Sequence, residues 1–113
     1  MNTVLDMAVI GSLREITKPD FFEKLVELFE IDASQTVTEI KMALDTEDAI
    51  LLAEKAHSLK SSSSSIGAVA VSALADKLEI LGLSGTTKGG SDLFSELETQ
   101  ILCARQALKE VSQ

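Results

Sequence analysis

Neither tryptophan nor tyrosine occurs in the 113 residues, and phenylalanine occurs only four times. A core must therefore be assembled from Leu, Ile, Val and Ala, a composition that favours packed helices. Cys103 stands alone, which excludes an intramolecular disulfide; with one histidine besides, no zinc ligand set or Cys-His pair can be composed. Its neighbours Ile101, Leu102 and Ala104 predict a thiol packed inside a helix. Positive charge is also scarce, with ten Lys and Arg against 18 Asp and Glu and a formal charge of -8. No cationic cluster could neutralise a run of phosphates, so nucleic acid and anionic membrane are excluded as natural partners. No apolar run is long enough to span a bilayer, and the first ten residues lack the basic start of a secretion signal. The expectation is a cytoplasmic chain without direct membrane insertion.

The balance of 45% hydrophobic and 25% charged residues is that of a folded globular protein, and the length suits a single domain over 1-113. Val4, Leu5, Ala8, Val9 and Leu13 recur at helical spacing and predict a short N-terminal helix within 1-16. Thr17-Lys18-Pro19-Asp20 reads as a capped start for a second helix. Phe22, Leu25, Phe29, Ala33, Val37, Ile40 and Leu44 then mark one long apolar stripe. Asp45 to Asp48 interrupts it, and a third series begins at Ile50. Leu52, Ala56, Leu59, Ser63 and Ile66 keep the helical rhythm through the run Ser61 to Ser65, which composition alone would assign to a linker. Gly67 suits the end of that helix.

A fourth helix is marked by Val71, Leu74, Leu78 and Leu81, and a fifth by Leu93, Leu97, Ile101, Ala104, Leu108 and Val111, starting near Ser91 or Asp92. Between them, Gly82 to Gly90 has the glycines of a phosphate loop but neither its spacing nor its preceding strand, and reads as a mobile connection. No strand pattern occurs. The expected fold is all-α, an up-and-down antiparallel four-helix bundle over 17-113 with a short additional N-terminal helix.

Projected at about 100° per residue, the apolar residues of the third helix fill one sector and His57 lies outside it. Ile50, Ala53, Glu54, Lys60, Ser61 and Ser64 surround the imidazole, since residues three, four and seven apart share a face. A solvent-facing neutral imidazole is a nucleophile near neutral pH and forms a phosphoramidate with an acyl phosphate. Lys60, one turn along, is the candidate to neutralise phosphoryl charge. Glu54 lies within reach of the ring, but on an exposed helix face it is read as solvated.

The stretch Ala56-His57-Ser58-Leu59-Lys60-Ser61-Ser62-Ser63-Ser64-Ser65-Ile66-Gly67-Ala68 resembles the signature of histidine phosphotransfer (HPt) domains, and Leu74, Leu78, Glu79 and Gly82 resemble the family's next helix. The resemblance implies a phosphorelay intermediate in which His57 accepts a phosphoryl group from the aspartate of one receiver domain and passes it to another. It makes Lys60 the charged neighbour and Gly67 the residue shaping the helix end. It requires no cofactor in this chain, magnesium belonging to the receivers. The family commonly has glycine where this chain has Ser61. Ile50, Ala53, Glu54, Ser61 and Ser64, with part of the first helix, form the expected docking surface. Two contexts stay open, a free-standing protein and the C-terminal HPt domain of a hybrid sensor histidine kinase; the chain has no ATP site of its own. The competing reading is a helical protein-binding module in which His57 is incidental.

Overall fold

A computed structural model describes residues 4-112; residues 1-3 of the expected first segment, and residue 113, lie outside the described part. Five helices follow one another: α1 (Met7–Ile16), α2 (Pro19–Asp45), α3 (Ala49–Ser65), α4 (Val69–Leu83) and α5 (Gly90–Ser112). Among the described residues there is no strand. Consecutive helices from α2 onward pack side by side, and α5 closes the ring against α2. This is the expected up-and-down bundle, with α1 laid against one end.

Each boundary has a local cause. Asp6 caps α1 by accepting from the amides of Ala8 at 2.9 Å and Val9 at 3.4 Å. The junction with α2 differs from the expected one. Thr17 closes α1, its hydroxyl donating to the Leu13 carbonyl at 2.6 Å, while Lys18 precedes Pro19 without a side-chain cap. Asp48 caps α3 by accepting from the Leu51 amide at 3.0 Å.

The serine run remains helical, and three of its hydroxyls, those of Ser62, Ser63 and Ser65, bond back within the helix. Ser63 donates to the Leu59 carbonyl at 2.6 Å and Ser65 to the Ser61 carbonyl at 3.0 Å. The helix stops at Gly67, whose φ of 77° is open to glycine at little cost. The Gly67 amide donates to the Ser64 carbonyl and the Ala68 amide to the Ser63 carbonyl, the reversed pairing that ends helices.

The core follows the predicted stripes, with small shifts. Phe22, Phe29, Ala33 and Ile40 of α2 are buried together with Val26 and Ala43, while Leu25, Val37 and Leu44 pack at its edge. From α3 come Leu52, Ala56, Leu59 and the polar Ser63. Two expectations are corrected. Cys103 is exposed, because α5 turns Leu97, Ile101, Ala104 and Leu108 inward and Cys103 lies well round the helix from that stripe. The glycine segment is shorter than expected, since Gly82 and Leu83 belong to α4 and Gly90 opens α5. Among the described residues, no helix is long and apolar enough to cross a membrane.

Candidate functional site

The site lies on the outer seam between α3 and α4. These helices run antiparallel and very close, because Gly82 lacks a side chain at the crossing. A Cβ there would stand 2.7 Å from both the Ala49 carbonyl oxygen and the Ala53 amide nitrogen. One turn beyond Ala53 comes His57, and one turn before Gly82 comes Glu79. The crossing thus brings the two together: His57 Nδ1 lies 2.8 Å from Glu79 Oε2.

The same register continues down the seam, each step along α3 matched by an equal step back along α4. Lys60 Nζ meets Glu79 Oε1 at 2.5 Å and Asp76 Oδ1 at 3.2 Å. Ser64 and Ser72 share a hydrogen bond at 2.6 Å between their hydroxyls. Ser72 also donates to the Lys60 carbonyl at 3.3 Å.

The imidazole is open to solvent, its side chain 61% exposed, whereas the Glu79 carboxylate beneath it is 13% exposed. Hydrogen bonding from Lys60 holds the Glu79 carboxyl below its usual pKa, against an opposing effect of burial, with a further lowering from His57. Glu79 in turn raises the Lys60 ammonium above its usual range, assisted by Asp76. An ionised carboxylate only accepts hydrogen bonds. The His57 nitrogen facing Glu79 is therefore the protonated one, and the lone pair resides on Nε2. A hydrogen-bonded, oriented imidazole with its other nitrogen toward solvent is equipped for nucleophilic attack on an incoming electrophile.

The predicted residues divide clearly. Ile50, Glu54, Ser61 and Ser64 are exposed on α3 as the projection requires. Ala53 is not part of that surface: it is 8% exposed, covered by the α4 backbone at Gly82. The carboxylate that meets the imidazole is Glu79 from α4, not Glu54. Lys60 is present at the site, but its ammonium is held between two carboxylates. Gly67 shapes the end of α3 as expected, and its carbonyl also accepts from the Asp6 amide at 2.7 Å, tying α1 to the α3–α4 turn.

Glu79, Asp76 and Ser72 were not assigned to the site from the sequence. A signal was present in the pairing of small residues: once Ala53 is set against Gly82, one turn on each helix leads to His57 and Glu79. Among the described residues, no group of three or more His, Cys, Asp or Glu could hold a metal ion. A concavity of about 750 Å³ lies across the bundle between α2 and α5.

Residues 24-112 match the family model for the Hpt domain. Among solved structures, the chain is similar to histidine-containing phosphotransfer protein B (HptB) from Pseudomonas aeruginosa PAO1. That likeness has a TM-score of 0.92 and 27% identity, covering 100% of this chain and 97% of that one. It also shares its fold with the histidine-containing phosphotransfer protein MtHPt2 of Medicago truncatula, with a TM-score of 0.83 and 21% identity over 95% of this chain and 76% of that one. Among curated protein sequences, none matches the chain.

Proposed function

Because this chain belongs to the Hpt domain family and has a histidine phosphotransfer role in two-component signalling, we propose that His57 is the residue that carries the phosphoryl group. The observation behind this is the exposed imidazole whose Nδ1 faces a carboxylate, leaving Nε2 as the nucleophile. Nε2 attacks the phosphorus of a receiver's aspartyl phosphate. The Nε2–P bond forms as the P–O bond breaks, and the aspartate leaves as a carboxylate. In the second transfer the electron pair of the Nε2–P bond returns to Nε2 as another receiver's aspartate takes the phosphoryl group. Magnesium in this reading is supplied by the receiver, and ATP alone does not phosphorylate the chain. A cytoplasmic location goes with it, free-standing or as the cytoplasmic part of a membrane-bound kinase.

Bringing the imidazole and aspartyl phosphate into line requires a partner that covers the seam and excludes water. Two apolar surfaces support such docking. At the N-terminal end of α3, Ile50 is 75% exposed, and Ile80 and Leu83 of α4 are exposed as well. On the other flank of α3, a groove of about 450 Å³ is lined by Leu13, Leu25, Leu28, Phe29, Ser62 and Ile66. With Ile50 near one end of α3 and α1 tied to the other, a partner touching both spans about 24 Å of helix.

Incubation with a phosphorylated cognate receiver is expected to label the protein. The label should be stable to base, labile to acid, and absent from His57→Gln of unchanged helicity. Persistent labelling of that variant would overturn the assignment. Binding of receivers regardless of phosphorylation, with no label on His57, would instead favour the protein-binding module.

A further inference from the structure

We propose that the hydroxyl of Ser61 donates a hydrogen bond to a phosphoryl oxygen carried on His57 Nε2, so that this chain holds its phosphoryl group more firmly than the imidazole alone would. This rests on the reading of His57 as the phosphorylated residue and assigns a second residue to the loaded state. The hydroxyl belongs to this chain rather than to the family, in which glycine is common at the position.

Six serines lie in α3, Ser58 and Ser61 to Ser65. Five have their hydroxyls engaged. Ser58 donates to the Glu54 carbonyl, Ser62 and Ser63 to the Leu59 carbonyl and Ser65 to the Ser61 carbonyl, while Ser64 pairs with Ser72 across the seam. The sixth, Ser61, is exposed, and its hydroxyl has no partner among the described residues. It is also the serine one turn beyond His57, a spacing that sets Cβ atoms roughly 5–6 Å apart.

Around the helix axis, Ala53, Lys60 and Ser64 fall to one side of His57, and Glu54 and Ser61 to the other. The first side is that of α4, since Ala53 lies under Gly82, Lys60 meets Glu79 and Asp76, and Ser64 meets Ser72. His57 Nδ1 is turned the same way, toward Glu79. The two nitrogens of an imidazole point in divergent directions, so Nε2 opens away from α4. A phosphoryl group on it stands over the side that holds Glu54 and Ser61. Side chains on a helix lean toward its N-terminus. Ser61 therefore leans toward His57, whereas Glu54, one turn before, leans away. A carboxylate accepts hydrogen bonds and does not donate them, which leaves Ser61 as the donor on that side.

Before loading, the Ser61 hydroxyl bonds to water. After loading it meets an oxygen bearing negative charge, a stronger acceptor, and its proton stays on the serine throughout. The bond exists in the phosphorylated protein and not in the free one, so it draws the equilibrium of transfer toward His57. Bulk at the same position acts otherwise. It obstructs a receiver in both directions and slows forward and reverse transfer by the same factor.

The test compares wild type, Ser61→Ala, Ser61→Gly and Ser61→Thr, each loaded on His57 with potassium phosphoramidate. Forward and reverse transfer are timed with magnesium and one receiver domain that exchanges its phosphoryl group with the wild type. The ratio of the two second-order rate constants is the equilibrium constant. Ser61→Ala and Ser61→Gly should shift it toward the receiver by about threefold to tenfold, which is what one hydrogen bond contributes. Ser61→Thr retains the hydroxyl and should keep the wild-type ratio even where its methyl group slows both directions. The ³¹P resonance of the loaded protein should move in the alanine and glycine variants and stay closer to wild type in the threonine variant.

An unchanged ratio in Ser61→Ala, whether or not both rates rise together, would reduce Ser61 to bulk and overturn the proposal. A threonine variant with the alanine ratio would overturn it as well. The position is exposed and alanine favours a helix, so the variant is expected to keep the bundle, which circular dichroism checks. Failure of the wild type to load on His57 would defeat the phosphotransfer reading and this proposal with it. Loaded wild type with an indistinguishable alanine variant would defeat the role of Ser61 alone.

Discussion

The Gly82 backbone lies close against that of α3, and the seam that carries His57 depends on this contact. A methyl group there would stand 2.7 Å from the Ala49 oxygen and 3.0 Å from the Ala53 Cα, both backbone atoms that cannot swing aside. Gly82→Ala should therefore push α4 outward and destabilise the bundle by roughly 1–3 kcal/mol, as overpacking does elsewhere. Urea denaturation measures this, and an unchanged midpoint would show that the crossing is looser than described. Weakening of the His57–Glu79 hydrogen bond should accompany it, read from the ¹⁵N chemical shifts of the imidazole ring. The same contact accounts for what sequence reasoning could and could not see. His57 and Lys60 were legible because the periodicity of one helix separates its apolar from its open face. Ala53 was assigned to the open face because that projection contains no neighbouring helix. Glu79 and Asp76 join the site only through the register between α3 and α4, a property of two segments packed together.

Among the elements, α3 carries the largest conflict between composition and structure. Five consecutive serines disfavour a helix interior, yet α3 persists through them as the apolar rhythm of Leu59, Ser63 and Ile66 anticipated. Burial of Leu59, Ser63 and Ile66 against the bundle outweighs the weak helix preference of the serines between them. The end of α3 was legible at Gly67 and the break between α1 and α2 at Thr17 to Asp20, whereas the role of Thr17 was not, because it caps backward and a sequence pattern does not distinguish the two directions. Gly67 joins three elements, with a φ of 77° and a carbonyl that receives the Asp6 amide. Replacing it by alanine would impose a left-handed conformation costing roughly 1–2 kcal/mol. The new Cβ would also lie 3.1 Å from the Asp6 oxygen and 3.3 Å from the Val9 Cβ. Gly67→Ala should thus lower stability and loosen α1 first, seen as faster amide exchange in residues 7-16 than in the remaining helices. Equal loss of protection across all five helices would contradict this local picture.

For the whole molecule, an excess of acidic residues places ion pairs under a general negative field, so pairs that recruit one of the ten basic side chains matter for the seam more than for the surface. Lys24–Glu27 and Lys41–Asp45 lie within single exposed helices and contribute little. Lys60 instead joins α3 to α4. Glu79 has its pKa lowered in the fold, so its contribution is present above the ordinary carboxylate range and lost as pH falls through the lowered value. Lys60 has its pKa raised, so its contribution is complete below its ordinary value and lost as pH rises through the raised one. The seam is thus supported across a window from about pH 5 to pH 10. Thermal melts of wild type and Glu79→Gln should differ inside that window and converge only as pH falls through the lowered pKa of Glu79, where the wild-type carboxyl becomes neutral. A difference that persisted undiminished into acid would mean that Glu79 supports the bundle by shape alone, and that its charge serves only the histidine above it.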